Sequence, residues 1–238
     1  MKKTIFTVCS LAALLFLQLN AVAQDNDEKR IEGNGHIITK DFSVQAFDKI
    51  DGSGVFNIIL SQGNKEAVKI ETDENLMDLF EVTNEGSTLK ISMKKHSNFH
   101  SSKKMKVYVS FQKLKGMVLK MVGGVSSEEN LNFDDLSIDS KGVGSVDLKL
   151  TAQTLHVINA GVGSIHLTGK ANNANIRNSG VGSIEAGEFV VQTMDINNSG
   201  VGHSEVNAEK ELTIKDSFLG KVHNKGNATV KRLNKTSI

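Results

Sequence analysis

The 238-residue chain has no proline, no tryptophan, a single tyrosine (Tyr108) and a single cysteine (Cys9). Each lack excludes something. One cysteine allows neither an internal disulfide nor a thiolate metal site. The absence of proline means that no proline removes a donor from a hydrogen-bonded ladder, which suits extended sheet. With one tyrosine and no tryptophan, the chain is short of the flat rings on which polysaccharide-cleaving sites stack sugar. Charge of either sign is not in excess, with 28 basic against 27 acidic residues. No strong global field is therefore available to attract nucleic acid. Glycine, by contrast, is abundant at 21 residues.

The first 23 residues read as a secretory signal peptide. Lys2 and Lys3 precede an apolar run from Ile5 to Leu19, and Ala21-Val22-Ala23 is a small-x-small cleavage site. The run is shorter than the roughly 20 residues of a spanning helix, so no transmembrane segment is expected in the mature chain. Cys9 lies early in the run, where it is not a lipoprotein cysteine. The mature chain would carry 26 basic and 27 acidic residues, since Lys2 and Lys3 leave with the peptide.

Residues 24–40 are assigned to a polar N-terminal tail, although strand-like character begins at Ile31. A β-solenoid domain is assigned to 41–238. Its N-terminal part is a series of short strand patterns: Val55 to Leu60, Ala67 to Thr72, Phe80 to Thr83, Leu89 to Met93 and Lys106 to Phe111. Asn75-Leu76-Met77 is the one place where a helical turn is expected. Asn84-Glu85-Gly86 reads as a hairpin turn. Lys94 to Lys106 is a polar loop with four lysines before its last residue.

From Gly124 onward one word recurs: Gly142-Val143-Gly144-Ser145, Gly161-Val162-Gly163-Ser164, Gly180-Val181-Gly182-Ser183 and Gly200-Val201-Gly202-His203. The near-constant period divides 124–238 into six rows of 19 or 20 residues, and such a period signals a stacked repeat. Two apolar columns hold the register. One runs Leu136/Ile138, Leu155/Val157, Ala174/Ile176, Met194/Ile196, Leu212/Ile214 and Ala228/Val230. The other runs Val146/Leu148, Ile165/Leu167, Ile184/Ala186 and Val206. Period-2 alternation within each pair means strands with one face inward. The expected architecture is all-β, a right-handed β-solenoid of about 19-residue coils that the N-terminal strands join. In the word itself, both glycines are expected to turn the chain through positive φ, the valine to enter the core, and the serine to stack on its copy. A polar column, Ser140, Asn159, Asn178, Asn198 and Asp216, precedes the glycines. Asn159, Asn178 and Asn198 are expected to bond from coil to coil.

The order of these features resembles the putative auto-transporter adhesin, head GIN domain family, a group frequent in Bacteroidetes. The residues that carry the resemblance are Phe47-Asp48-Lys49-Ile50, Gly52-Ser53-Gly54-Val55-Phe56-Asn57-Ile58, Asn75-Leu76 through Gly86-Ser87-Thr88-Leu89-Lys90-Ile91, and the glycine words after them. The resemblance implies a β-helix-like fold, an envelope or surface location and an adhesive role. It brings no catalytic motif.

Candidate chemistry is sparse. Asp147, His166, Glu185 and Glu205 form an outward column that suggests cation binding or acid/base work, against a plain solvated strand face. His156, His203 and His223 fall in other columns without metal-ligand spacing. The glycine words lack the Gly-Lys-Ser/Thr ending of a phosphate loop. The basic loop offers contact to anionic glycans or lipid headgroups, against simple solvation. No catalytic residue, metal ligand or cofactor site is assigned. The expected function is a non-catalytic, exported binding module or adhesin, acting in the periplasm, at the outer-membrane surface or outside the cell. Its partner would be a protein or glycan on a cell surface. A polysaccharide-active β-helix enzyme and a purely structural envelope component are the alternatives.

Overall fold

The structure, a computed structural model, describes residues 30–94 and 98–233. The expected signal peptide lies outside these residues, as do 24–29 of the tail, 95–97 of the basic loop and 234–238 of the last row. Sixteen strands form one sheet that winds on itself as a β-solenoid of about six turns.

The regular coils are built from Leu131–Ser140, Val146–Asn159, Ile165–Asn178, Ile184–Asn198 and Ser204–Asp216. Each pairs in parallel with the next, with Val146 against Ile165, Ile165 against Ile184 and Ile184 against Ser204. Parallel register at one-coil spacing puts like residues over like, so the apolar columns become continuous. Leu155, Val157, Ile165, Leu167, Ile184, Ala186 and Val206 are fully buried. Each such aliphatic side chain contributes about 1.5–3 kcal/mol when removed from water. The single 20-residue row is absorbed by a bulge, where the register between the third and fourth long strands shifts after His166. The last row departs from expectation: Val230 is 45% exposed, with no further coil over it among the described residues.

The N-terminal part is not in sequence order. Lys49–Val55 and Asn57–Gln62 make one coil. The chain then places Thr88–Met93 and Lys106–Phe111 on one side of it. Gly116–Val122 and Val125–Ser127 return to stack on the other side. Ile37–Phe42, Ala67–Asp73 and Phe80–Glu85 close the end by antiparallel pairing. Residues 37–40, placed by sequence in the tail, therefore belong to a strand, held by ladder bonds to 70–73 that a tail would lack. Glu74–Leu79 forms a 3-10 helix across the open end and buries Leu76, Met77 and Leu79. It lies where a helical turn was expected, and Phe80–Glu85 with Thr88–Met93 forms the expected hairpin.

Candidate binding surface

The corner of each coil decides which side chains the protein presents. Gly161 and Gly163 are both obligatory, for different reasons. A Cβ on Gly163 would sit 2.1 Å from the carbonyl oxygen of Gly144, and its φ of +144° is in the region that side chains avoid. Gly161 has no positive φ; a Cβ there would lie 2.2 Å from the Gly142 carbonyl oxygen. The same split holds along the stack: Gly144, Gly182 and Gly202 have positive φ, whereas Gly142, Gly180 and Gly200 are needed for close coil-to-coil approach. Positive φ at all eight positions is thus corrected to four.

Inside the corner, Asn159, Asn178 and Asn198 are buried. Asn159 Nδ2 donates to Asn178 Oδ1 at 3.0 Å, and Asn178 Nδ2 donates to Asn198 Oδ1 at 3.0 Å. Asn198 Nδ2 ends the chain of amides on Ser204 Oγ at 2.8 Å. Each amide also reaches the carbonyl of the second glycine of its own word. Buried amides are costly unless bonded, so one column satisfies itself and holds the corner shut. The serine stacking is looser: Ser183 donates its N–H to Ser164 Oγ at 3.3 Å.

The valines were expected in the core and are not there. The inward space at the corner is filled by glycine backbone and asparagine amide. Val143, Val162, Val181 and Val201 bridge one another in parallel and point outward, with exposures of 50, 51, 51 and 48%. Val122 bridges Val143, and Val55 pairs with Val122. At the far end Gly202 donates to the carbonyl of Leu219, as Gly182 does to Val201, so Leu219 is the next rung. The result is a straight line of seven exposed aliphatic side chains. At the ~4.8 Å strand spacing it is about 29 Å long. Exposed apolar patches of a few hundred Å² mark interaction sites. Sequence reasoning missed Val55 and Val122 as rungs, although Val122-Gly123-Gly124-Val125 is a degenerate copy of Val143-Gly144-Ser145-Val146.

At the Val55 end the line runs into a cleft of about 680 Å³. The cleft is lined by Val55, Val122 and Val143, by Phe56, Asn57 and Met105, and by the segment Phe99–Lys104. That segment is tied down by Asp73, which is fully buried. Ser101 Oγ and Ser102 Oγ each donate to its carboxylate at 2.6 Å, and the N–H groups of Ser102 and Gly35 add bonds of 3.1 and 2.8 Å. Burial opposes ionisation, but these four donors outweigh it and hold the Asp73 carboxyl at about 2. No local signal marks Asp73, because its partners lie 28 to 38 residues away.

The acidic and histidine column lies elsewhere. Asp147, His166, Glu185 and Glu205 do share one register line. Of adjacent members, His166 Nδ1 meets Asp147 Oδ1 at 3.2 Å, both well exposed. Glu205 instead pairs with Lys225 at 3.3 Å. None of the four lines the cleft. Among the described residues no three His, Cys, Asp or Glu side chains form a group able to hold a metal ion. No helix among those residues is long and apolar enough to cross a membrane.

A stacked parallel coil with uniform surface columns and a satisfied interior defines a repeat-built β-solenoid. Residues 46–228 match the family described as Putative auto-transporter adhesin, head GIN domain, and the chain belongs to that family. A crystal structure of a putative adhesin from Bacteroides fragilis is 34% identical, with 85% of this chain and 100% of that one covered at a TM-score of 0.75. Two structures from Parabacteroides distasonis share the fold: a putative lipid binding protein (22% identity) and a putative adhesin (20%). Each covers 86% of this chain and 95% of its own, at a TM-score of 0.64. No curated protein matches the chain.

Proposed function

We propose that this protein is an exported, non-catalytic binding module of the adhesin type, which engages a cell-surface partner through the repeat faces of its solenoid. The observation that carries the reading is the line of seven exposed aliphatic side chains from Val55 to Leu219, held straight by the glycine and asparagine columns beneath it. Stacking gives the valines a small cross-strand contact; beyond that it leaves a continuous apolar strip, half-exposed along its length, that a partner can cover. Family membership and the adhesin relative support a binding role. The acidic and histidine column is left as a solvated strand face.

The test is retention of purified protein on isolated cell envelopes and on epithelial-cell surfaces, comparing the native chain with Val162→Asp and Val181→Asp. At least tenfold lower retention of both variants, with unchanged melting, is the expected result. Equal retention of native and variant protein would remove the reading. Turnover of a polysaccharide that is lost in Asp147→Asn or His166→Gln would replace it with the enzyme alternative.

A further inference from the structure

We propose that the cleft at the Val55 end binds a single-chain anionic amphiphile, with the anionic group at its lysine mouth and the acyl chain along the valine line. This rests on the binding-module reading and gives it a ligand class.

Three features of the molecule converge on that ligand. First, the volume, about 680 Å³, is in the range of small-molecule sites. Its lining carries both characters: Val55, Val122, Val143, Phe56, Phe99 and Met105 are apolar, Asn57 is polar, and the segment Phe99–Lys104 adds His100, Ser101, Ser102 and the two lysines.

Second, the mouth carries uncommitted positive charge. Lys103 and Lys104 line the cleft, are exposed, and make no ion pair among the described residues. Lys106, Lys115, Lys120 and Lys141 are paired with Glu71, Asp48, Asp51 and Asp139. Lys113, Lys149 and Lys170 are unpaired too among those residues, and what sets Lys103 and Lys104 apart is that both line the cleft. The carboxylate that the segment does touch, Asp73, is buried and spends its oxygens on Ser101, Ser102 and Gly35. It fixes the wall and leaves the two ammonium groups to an external anion. A half-exposed apolar wall beside unpaired lysines suits a ligand with both characters.

Third, the apolar wall does not stop at the cleft. Val55, Val122 and Val143 are both cleft lining and the first three rungs of the line. Val162, Val181 and Val201 continue it for about 14 Å at the strand spacing. A flexible hydrocarbon chain follows such a line because apolar burial is non-directional. A sugar chain would need polar partners and stacking rings. Of the rings, Tyr108 is not in the cleft, Phe56 is buried, and Phe99 alone is partly exposed there, one ring where a sugar chain would use several.

Equilibrium dialysis of the full chain against radiolabelled palmitate, kept below its aggregation concentration, tests the proposal, with hexadecanol as the uncharged control. Saturable uptake of one palmitate per chain is expected. Lys103→Glu combined with Lys104→Glu should weaken palmitate at least about tenfold and hexadecanol less than about threefold. Val143→Asp should weaken both about tenfold. All three substitutions are at exposed positions, and an unchanged melting curve verifies the fold. Absence of saturable palmitate binding overturns the proposal, as does equal binding by the double glutamate variant. Binding confined to phosphatidylglycerol vesicles, without monomer uptake, overturns it in favour of a membrane surface. A sedimenting dimer that Val162→Asp dissolves, with no palmitate bound, overturns it in favour of a second copy. The envelope-retention assay run in parallel separates the two readings. Retention lost in Val162→Asp without palmitate binding removes the amphiphile alone, and retention unchanged removes the binding module as well.

Discussion

The two halves of the solenoid solve the same problem with different chemistry. From Leu131 to Asp216 each strand lies on its near neighbour in sequence, about one coil away, and the buried polar side chains are neutral, two serines and three amides that repeat with the period. From residue 30 to 127 the pairing partners are up to 68 residues apart, the end is closed by antiparallel strands, and the buried polar side chains are Thr72 and a single carboxylate, Asp73. The difference teaches where a solenoid can rely on repetition. A column satisfies itself only if a copy lies above and below. At a capped end there is no next copy, so the terminal polar group must recruit partners from unrelated segments, and here it recruits Ser101, Ser102 and Gly35.

The largest effect that would break this comparison is in the corner. Gly163→Val adds a side chain against the Gly144 carbonyl oxygen at positive φ, and a loss of about 4 kcal/mol or more is expected. For a domain of this size that lowers the melting temperature by at least about 8 °C. A melting curve like that of the native chain would refute the corner reading.

Next comes the amide column. Asn178→Ala leaves Asn159 Nδ2 without its acceptor amide and Asn198 Oδ1 without its donor. At about 1–3 kcal/mol for each orphaned group, a loss near 3 kcal/mol is expected in chemical denaturation. If Asn178→Ala costs no more than a surface change, the ladder is incidental.

The cap should respond to acid where the amide column does not. The Asp73 carboxyl lies at about 2, below its ordinary value of 3.8. Its stabilisation is therefore fully present above about pH 4 and is lost as pH falls towards 2. Protection of amides from hydrogen exchange, relative to the intrinsic rate at each pH, should fall around Gly35 and Ser101–Ser102 across that window while Ile165–Asn178 stays protected. Asp73→Asn should reproduce the loosening at neutral pH, at a cost of about 2 kcal/mol, because its amide nitrogen faces donors. Uniform exchange over both halves would mean that the cap is not a separate unit.

The smallest stability effect is at the outward rungs. Val162→Ser removes a half-exposed methyl pair and should change stability by no more than about 0.5 kcal/mol. Ile176→Ala in the buried column should cost about 2–5 kcal/mol. A large loss in Val162→Ser would mean that the valine line supports the fold rather than a ligand.

Much of the regular half was legible before any coordinates. Leu155/Val157 and Ile165/Leu167 alternate at period 2 and recur at period 19, and both properties are local. Asn159, Asn178 and Asn198 recur with them. Val162 was misplaced because alternation alone does not reveal which positions have room. It stands in a glycine corner between the strands, where glycine backbone and amide already fill the inward space. The cleft was legible only as a basic loop, since its apolar lining includes Val55, Val122 and Val143, which lie up to 88 positions apart in the chain.

By itself the sequence determined the stacking, the buried columns and the need for glycine, because each repeats at the coil period and repetition is visible in one dimension. Only the tertiary structure decided the outward turn of the valines, the order of the N-terminal coils and the partners of Asp73. Those depend on which backbone lies within a few ångströms of which, and distance in space is not distance along the chain.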